Sequence, residues 1–290
     1  MAYETTSSTL NDLLPSIVAE AMFVANERSI MRNLVKVYDL PMGSGKTITV
    51  PRYPVQTAAG VNEGTDLSNT EVSTDGATLT VGEVGIMTTV TDYAMMTSAS
   101  NVIADVGRLF GEAIAKKLDQ DLLALFSGFS TDVGGASTAM TPALVMKAIA
   151  TLRANSVPGD ELFCVLHPYV AYDLKSALTT GGTTVFSAGG GVSDVANEAL
   201  RTGYVGRLFG VPVFESANIA DTGTAGDYVG GVFHRNALGL AMLQDIKLET
   251  QRDASLRATE VVGSAVYGVG ELYDTYGVKI TADSSLVDPA

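Results

Sequence analysis

The sequence predicts an α+β fold, on three observations. A long amphipathic helix is written between Val102 and Phe126. Before it lies a segment of about 40 residues whose two ends alternate like β-strands. After it, short helices and strands give way to a strand-rich tail.

Taken in order, Met1 to Leu10 is polar and Thr/Ser-rich, with no cationic region followed by an apolar one, so no signal peptide is visible. A helix follows. Asn11 or Asp12 serves as its cap, Pro15 fits its first turn, and Ile17, Val18, Ala21, Met22, Val24 and Ala25 recur at helical spacing. Arg28, Arg32 and Lys36 stand near its end, where positive charge suits the helix dipole. An isolated helix of this length is marginal in water, so the arm must dock on something.

The stretch from Lys46 to Asp92 is unlike a core. Thr47 to Val50 alternates, and Ala77 to Val81 alternates again until the phase shifts near Gly82 and Gly85, with Val84, Ile86 and Val90 on the new face. A run rich in Gly, Asn, Asp, Ser and Thr, from Ala59 to Gly76, separates the two arms. Together they predict a long hairpin whose arms reach ~45 Å at about 3.3 Å per residue. A two-stranded hairpin with so little apolar content needs a partner surface.

In the long helix, Ile103, Val106, Phe110, Ile114, Leu118, Leu122 and Leu125 follow the helical period. Asp105, Arg108, Glu112, Lys116 and Asp119 form a polar stripe on the other side. Ser100 or Asn101 caps it, Glu112 and Lys116 stand in the favourable order, and Gly128 ends it after roughly 38 Å. It is a spine.

Ser130 to Thr141 is a Gly/Ser/Thr linker. Beyond it, a helix from Thr141-Pro142 to Asn155, a turn at Pro158-Gly159, a buried strand Phe163 to Leu166 and a helix from Pro168 to Leu178 make an α/β unit. Thr179 to Gly191 carries the glycine runs of a flexible linker. Strands are expected at Val211 to Glu215, Tyr228 to Phe233 and Leu238 to Leu243, the last two joined tightly, as hairpin strands are, through His234, Arg235 and Asn236. From Ile246 the chain is strand-rich again, and Gly263, Gly268 and Gly270 mark where a helix or backbone approaches closely. These late strands are expected to pack on the spine.

Composition narrows the function. Eighteen Lys+Arg against 32 Asp+Glu leave a net charge of −14, which argues against gripping phosphate backbones. Only 17% of residues are charged and 46% are hydrophobic, yet no apolar run reaches the roughly 18 residues of a membrane span. Such a chain hides surface against copies of itself or another protein. One cysteine excludes an internal disulfide and suits a reducing compartment.

Chemical motifs are weak. Gly43-Ser44-Gly45-Lys46-Thr47 resembles a phosphate loop, but Leu40 stands where its first glycine belongs and a strand, not a helix, follows Lys46. Cys164 and His167 are close in sequence, but Cys164 sits in an apolar strand and His167 at a helix start. His234 is expected to be a solvated turn residue. Glu63, Asp66, Glu71 and Asp75 form a solvated face, with a weak divalent-ion site as the alternative. No catalytic, cofactor-binding or metal residue is assigned, no cofactor is expected, and the chain is read as not an enzyme.

The order of elements and several strings resemble a known family. These are Asn62 to Asp66 in the hairpin loop, Thr91-Asp92-Tyr93 before the spine and Lys117 to Asp121 within it. Further on come Val165 to Pro168, Gly206 to Val213, and Arg252 to Ser255. Over about Asn11 to Asp283 the chain resembles the major capsid proteins of tailed bacteriophages, with the Hong Kong 97-like fold. The resemblance implies an N-terminal arm at 1–45, an extended hairpin loop at 46–91, a peripheral domain with the spine helix at 92–140 and 244–290, and an α/β axial domain at 141–243. It implies a coat protein that self-assembles into pentamers and hexamers of an icosahedral virion shell around double-stranded DNA, built in the host cytoplasm. Partners would be copies of itself and a portal protein, with either a separate scaffolding protein or unassisted assembly, and with or without a decoration protein; no membrane and no sequence-specific DNA binding are expected. Some relatives cross-link a lysine of the loop to an asparagine of the peripheral domain. This chain has no lysine from Val50 to Val90 and no asparagine from Ala237 to Ala290, so a non-covalent shell is expected. The alternatives are an encapsulin-like compartment shell and, from another class, a nucleotide-dependent enzyme built on Gly43 to Thr47.

Overall fold

The computed structural model describes residues 29–43, 45–53, 56, 58, 60–64, 66, 69, 71–97, 102–180, 204–222 and 226–286, with no side-chain description at 103, 104, 178–180, 204 and 205. The expected N-terminal helix, the caps at Ser100 and Asn101, and most of the glycine-rich stretch from Thr179 lie outside these residues. A short helix α1 (Met31–Leu34) leads into strand β1 (Lys36–Asp39). The hairpin strands β2 (Thr47–Arg52) and β3 (Asp75–Thr80) come next, followed by β4 (Gly82–Thr91) and α2 (Asp92–Thr97). The spine α3 (Val102–Ala124) tightens into a 3-10 turn over Leu125–Gly128. Then come α4 (Pro142–Ala154), β5 (Leu162–Leu166), α5 (Pro168–Thr180), β6 (Tyr204–Leu208), β7 (Val211–Glu215) and β8 (Asp227–His234). The strands β9 (Leu238–Asp253), β10 (Ala258–Glu271) and β11 (Gly277–Asp283) follow.

Two sheets share the spine. The first has the order β1-β9-β10-β4, the second β11-β8-β5-β7-β6, and β2 and β3 pair only with each other. Gly263 of β10 makes room for the helix, since a Cβ there would lie 2.8 Å from Phe110 Cδ2. At the other end of the spine, the Phe126 ring lies 5.3 Å from Phe233 of β8 and 6.1 Å from Phe129, so the same element anchors both sheets. In the five-stranded sheet β5 is almost wholly apolar and buried, as a strand covered on both faces must be. Val145, Ala148, Ile149 and Leu152 of α4 and Val170, Ala171 and Leu174 of α5 join it in one buried cluster.

The hairpin forms, but its paired part is shorter than the alternation implies: six residues on each strand, from Thr47↔Thr80 to Arg52↔Asp75. The phase shift at Gly82 is the cause. There the chain leaves β2 and continues as β4, antiparallel to β10 from Gly82↔Tyr267 to Thr91↔Ala258. A second apolar cluster of Leu40, Ala77, Leu79, Val81, Ala241 and Leu272 holds the hairpin base on the first sheet. Gly268 permits that approach, because a Cβ there would stand 2.2 Å from the Thr80 carbonyl oxygen.

Three expectations need correction. Strands β8 and β9 do not form a hairpin: a 3-10 turn over Arg235–Ala237 redirects the chain, so β8 stays in the second sheet while β9 enters the first. The boundary at 243/244 falls inside β9, which runs unbroken from Leu238 to Asp253: β1 ends opposite Met242, but β10 continues along β9 across that point through a register shift at Val266. The C-terminal strand β11 pairs with β8, so residues 277–283 belong with the α/β unit and not with the spine's sheet.

Candidate assembly surface

Two projecting parts of the fold carry exposed apolar side chains. The hairpin is the first. Its strands alternate in exposure, their apolar side packed on the first sheet, and beyond them Tyr53, Val61 and Val72 are exposed. Arg52 secures its base, with Nη1 donating to the Leu272 carbonyl at 2.9 Å and Nη2 paired to the Asp75 carboxylate.

The second projection is the end of the first sheet, where α2 meets the turn between β9 and β10. Arg252 donates from Nη1 and Nη2 to the two carboxylate oxygens of Asp92, each at 2.6 Å, and the Asp92 N–H donates to the Arg257 carbonyl at 3.0 Å. The Arg252 hydrogen bonds hold the Asp92 carboxyl below the usual range. Asp253 accepts from the hydroxyl of Ser255 and from the N–H groups of Ser255 and Leu256, which lowers its carboxyl and closes the turn. This polar frame is too exposed to add much stability, but it fixes geometry. On it stand Tyr93, Met96 and Leu256, with exposures of 78%, 83% and 60%. No residue of α2 is buried. Met95 alone packs against the core, so the helix leaves most of its apolar surface exposed.

The residues singled out by chemistry are not brought together into a reactive site. Gly43 and Gly45 take positive φ, and the Lys46 carbonyl accepts the Val81 N–H at 2.9 Å as β2 begins. The loop therefore feeds a strand and supplies no helix N-terminus for phosphate. Cys164 is fully buried and burial pushes its thiol up to about 12, which makes it an unreactive core residue. His167 stacks on Tyr228 with ring centroids 3.8 Å apart, and its Nδ1 accepts from the Tyr169 N–H at 3.3 Å at the start of α5. His234 is buried, contrary to expectation: its Nδ1 accepts the Asn236 N–H at 3.1 Å, and burial lowers its pKa. The 3-10 turn folds back over it. Glu63, Asp66, Glu71 and Asp75 are exposed, and among the described residues no three His, Cys, Asp or Glu side chains gather to hold a metal.

The polar stripe of the spine also needs one correction. Asp119 is completely buried, where its carboxylate accepts the Ser29 hydroxyl at 2.8 Å and the N–H groups of Ile30 and Met31 at 3.1 and 3.3 Å. It thereby ties the incoming arm to the spine. Burial raises its carboxyl above the usual range, and the three hydrogen bonds pull the other way. A signal was present: Ala115, Leu122 and Leu123, its neighbours one turn away on either side, are all apolar and all buried.

Two sheets bridged by one helix, with a body-anchored hairpin and a tip bearing exposed apolar side chains, define the architecture of this chain. The comparisons give the family. A model of phage capsid proteins matches residues 75–280. The major capsid protein of Staphylococcus phage phiMR11 is 24% identical over 286 residues, covering 97% of this chain and 98% of that protein. Of the solved structures, the capsid of cyanophage P-SCSP1u superposes with a TM-score of 0.69 at 21% identity, covering 89% of each chain. The SrpI encapsulin of Synechococcus elongatus shares the fold at a TM-score of 0.64 and 11% identity, over 90% of this chain and 89% of that one. The chain belongs to the phage capsid protein family, and its fold is Hong Kong 97-like.

Proposed function

We propose that this protein is the major capsid protein of a tailed phage, forming pentamers and hexamers of an icosahedral shell around double-stranded DNA. Family membership makes it a structural shell protein and not an enzyme. The observation that carries the finer reading is the set of large apolar side chains left exposed on the two projections, Tyr53, Val61 and Val72 on one and Tyr93, Met96 and Leu256 on the other. Hairpin and tip each dock on a neighbouring copy, and many modest contacts sum over the closed shell. We assign the sheet containing β9 and β10, with the spine, to the peripheral part, and the sheet containing β5 and β8 to the axial part. The −14 charge suits a wall that encloses DNA without holding it. Separate scaffolding and portal proteins complete the head, the shell assembles in the host cytoplasm, and the subunits stay unlinked.

The test is assembly. Wild-type protein, alone or with its scaffold, forms closed shells by negative-stain microscopy, and Met96→Asp lowers their yield about tenfold or more without changing the subunit's melting, since a desolvated anchor is lost. Equal shell yield from the variant refutes the tip as an interface. On denaturing gels mature particles run as single subunits; a ladder of linked chains refutes the non-covalent shell.

A further inference from the structure

The segment between β10 and β11 is where the whole subunit meets. Leu272 and Tyr273 both donate their N–H groups to the Ala237 carbonyl, at 2.7 and 3.2 Å, at the point where the chain passes between the two sheets. Asp274 accepts the Ser130 N–H at 2.8 Å and the Ser130 hydroxyl, tying in the end of the spine. His234 stands edge-on to Tyr276 at 5.6 Å. Asn155, just past α4, donates to the Thr275 carbonyl at 3.5 Å. Into this hub reaches one charged side chain of the hairpin, Arg52.

Arg52 is the last residue of β2, and it pairs across the ribbon with Asp75, the first of β3. On the hairpin's tip side of that pair, Tyr53, Ser73 and Thr74 face Tyr273, Asp274, Thr275 and Tyr276 across an open groove of about 420 Å³. On the other side Leu79, Ala77 and Val81 are packed in the second apolar cluster. Arg52 therefore stands where the held part of the hairpin ends. Its side chain is less than a third exposed, and its guanidinium bonds the Leu272 carbonyl of the hub and the Asp75 carboxylate of the opposite strand together. The planar fork that lets one side chain do both is peculiar to arginine.

We propose that Arg52 is a positioning residue that sets the direction in which the hairpin leaves the body, by joining both of its strands to the 271–276 hub. The proposal deepens the assembly reading and rests on it, because a hairpin that docks on a neighbour must leave at one angle for every copy. The Glu271 carboxyl of the hub is pushed up by burial and by Asp274, and the positive charge of Arg52 pulls it the other way.

The experiment compares wild type, Arg52→Met and Arg52→Lys in two measurements. Hydrogen exchange on the folded subunit follows the amides of 47–52 and 75–80. Electron microscopy of assembly products reads shell diameter and the fraction of closed shells. Arg52→Met keeps the stem and loses both bonds. Its hairpin amides exchange about tenfold or more faster, the loss expected for a hydrogen-bonded charge, while amides of β5 and β8 are unchanged, and its products are misshapen or open. Arg52→Lys, with one point of attachment, falls between the two. Unchanged hairpin exchange with shells of wild-type diameter overturns the proposal. Should Arg52→Met lose protection throughout, Arg52→Lys decides alone: wild-type exchange and shells then overturn it, and loosened hairpin amides with irregular shells support it. Failure of the wild type to form any shell refutes the assembly reading, and the exchange measurement still judges the anchoring.

Discussion

The five-stranded sheet and the hairpin use the same secondary structure in opposite ways. In β8 all but one of eight residues are buried, and β5 is buried along most of its length. In β2 no residue is buried, and in β3 only Ala77 and Leu79 are. The sheet meets its packing and hydrogen-bonding needs within the chain. Among its described residues the hairpin satisfies them only at its base, which leaves its outer part for the neighbouring copy proposed above.

The contrast can be broken from the sheet side first. Phe126, fully buried between Phe129 and Phe233, joins the spine to β8. Phe126→Ala is expected to cost about 3–5 kcal/mol of global stability, read as a lowered denaturant midpoint for the whole subunit. Leu79→Ala empties an equally buried site, but under the hairpin. Its cost of about 2–4 kcal/mol is expected as faster exchange confined to β2 and β3, with a smaller change in global unfolding. A Leu79→Ala loss that spreads to β5 and β8 would show that the hairpin base and the sheet unfold as one unit.

The smallest expected effect concerns the arm. Because the Asp119 carboxyl is raised in the folded protein, the native state holds its proton to a higher pH than the unfolded chain does. That contribution to stability is present below the unfolded carboxylate pKa and is lost as pH rises through the raised value. Asp119→Asn keeps one acceptor oxygen for the Ser29 hydroxyl and the Met31 N–H, gives up the bond from the Ile30 N–H to the other oxygen, and removes the titration. Its stability is therefore expected to vary less with pH across that window, as thermal melts at a series of pH values would record. A wild-type curve that instead rises across the same window would contradict the buried-carboxyl account.

Much of this was legible in the sequence, where periodicity carried it. The spine's apolar period located α3 to within two residues of its end, and alternation located β2, β3 and the switch at Gly82. The glycines of β10 marked close approach, and Gly263 and Gly268 do admit a ring and a backbone carbonyl. What failed were statements about which elements meet. A three-residue connection between β8 and β9 reads as a hairpin, yet it is a 3-10 turn that carries the chain from one sheet to the other. Asp119 reads as one more polar position on an exposed stripe until the arm, some 90 residues earlier in the sequence, lies across it. His234 reads as a turn residue because the burial around it comes from Tyr276 and other distant parts of the chain. The assembly tip had even less of a signature. Thr91-Asp92-Tyr93 stood out only through a family likeness, and its frame depends on Arg252, which arrives on another strand.

The placement of β1 and β11 bears on timing. Lys36 pairs with Gly239 in one sheet, roughly 200 positions apart, while the C-terminal strand β11 completes the edge of the other. Neither sheet can close until nearly the whole described chain has been synthesised, and pairings this distant are slow to form. The spine, and with it the platform for hairpin and tip, is thus consolidated late. A growing chain remains a poor building block until it is almost finished, so incomplete copies on neighbouring ribosomes have little to offer one another.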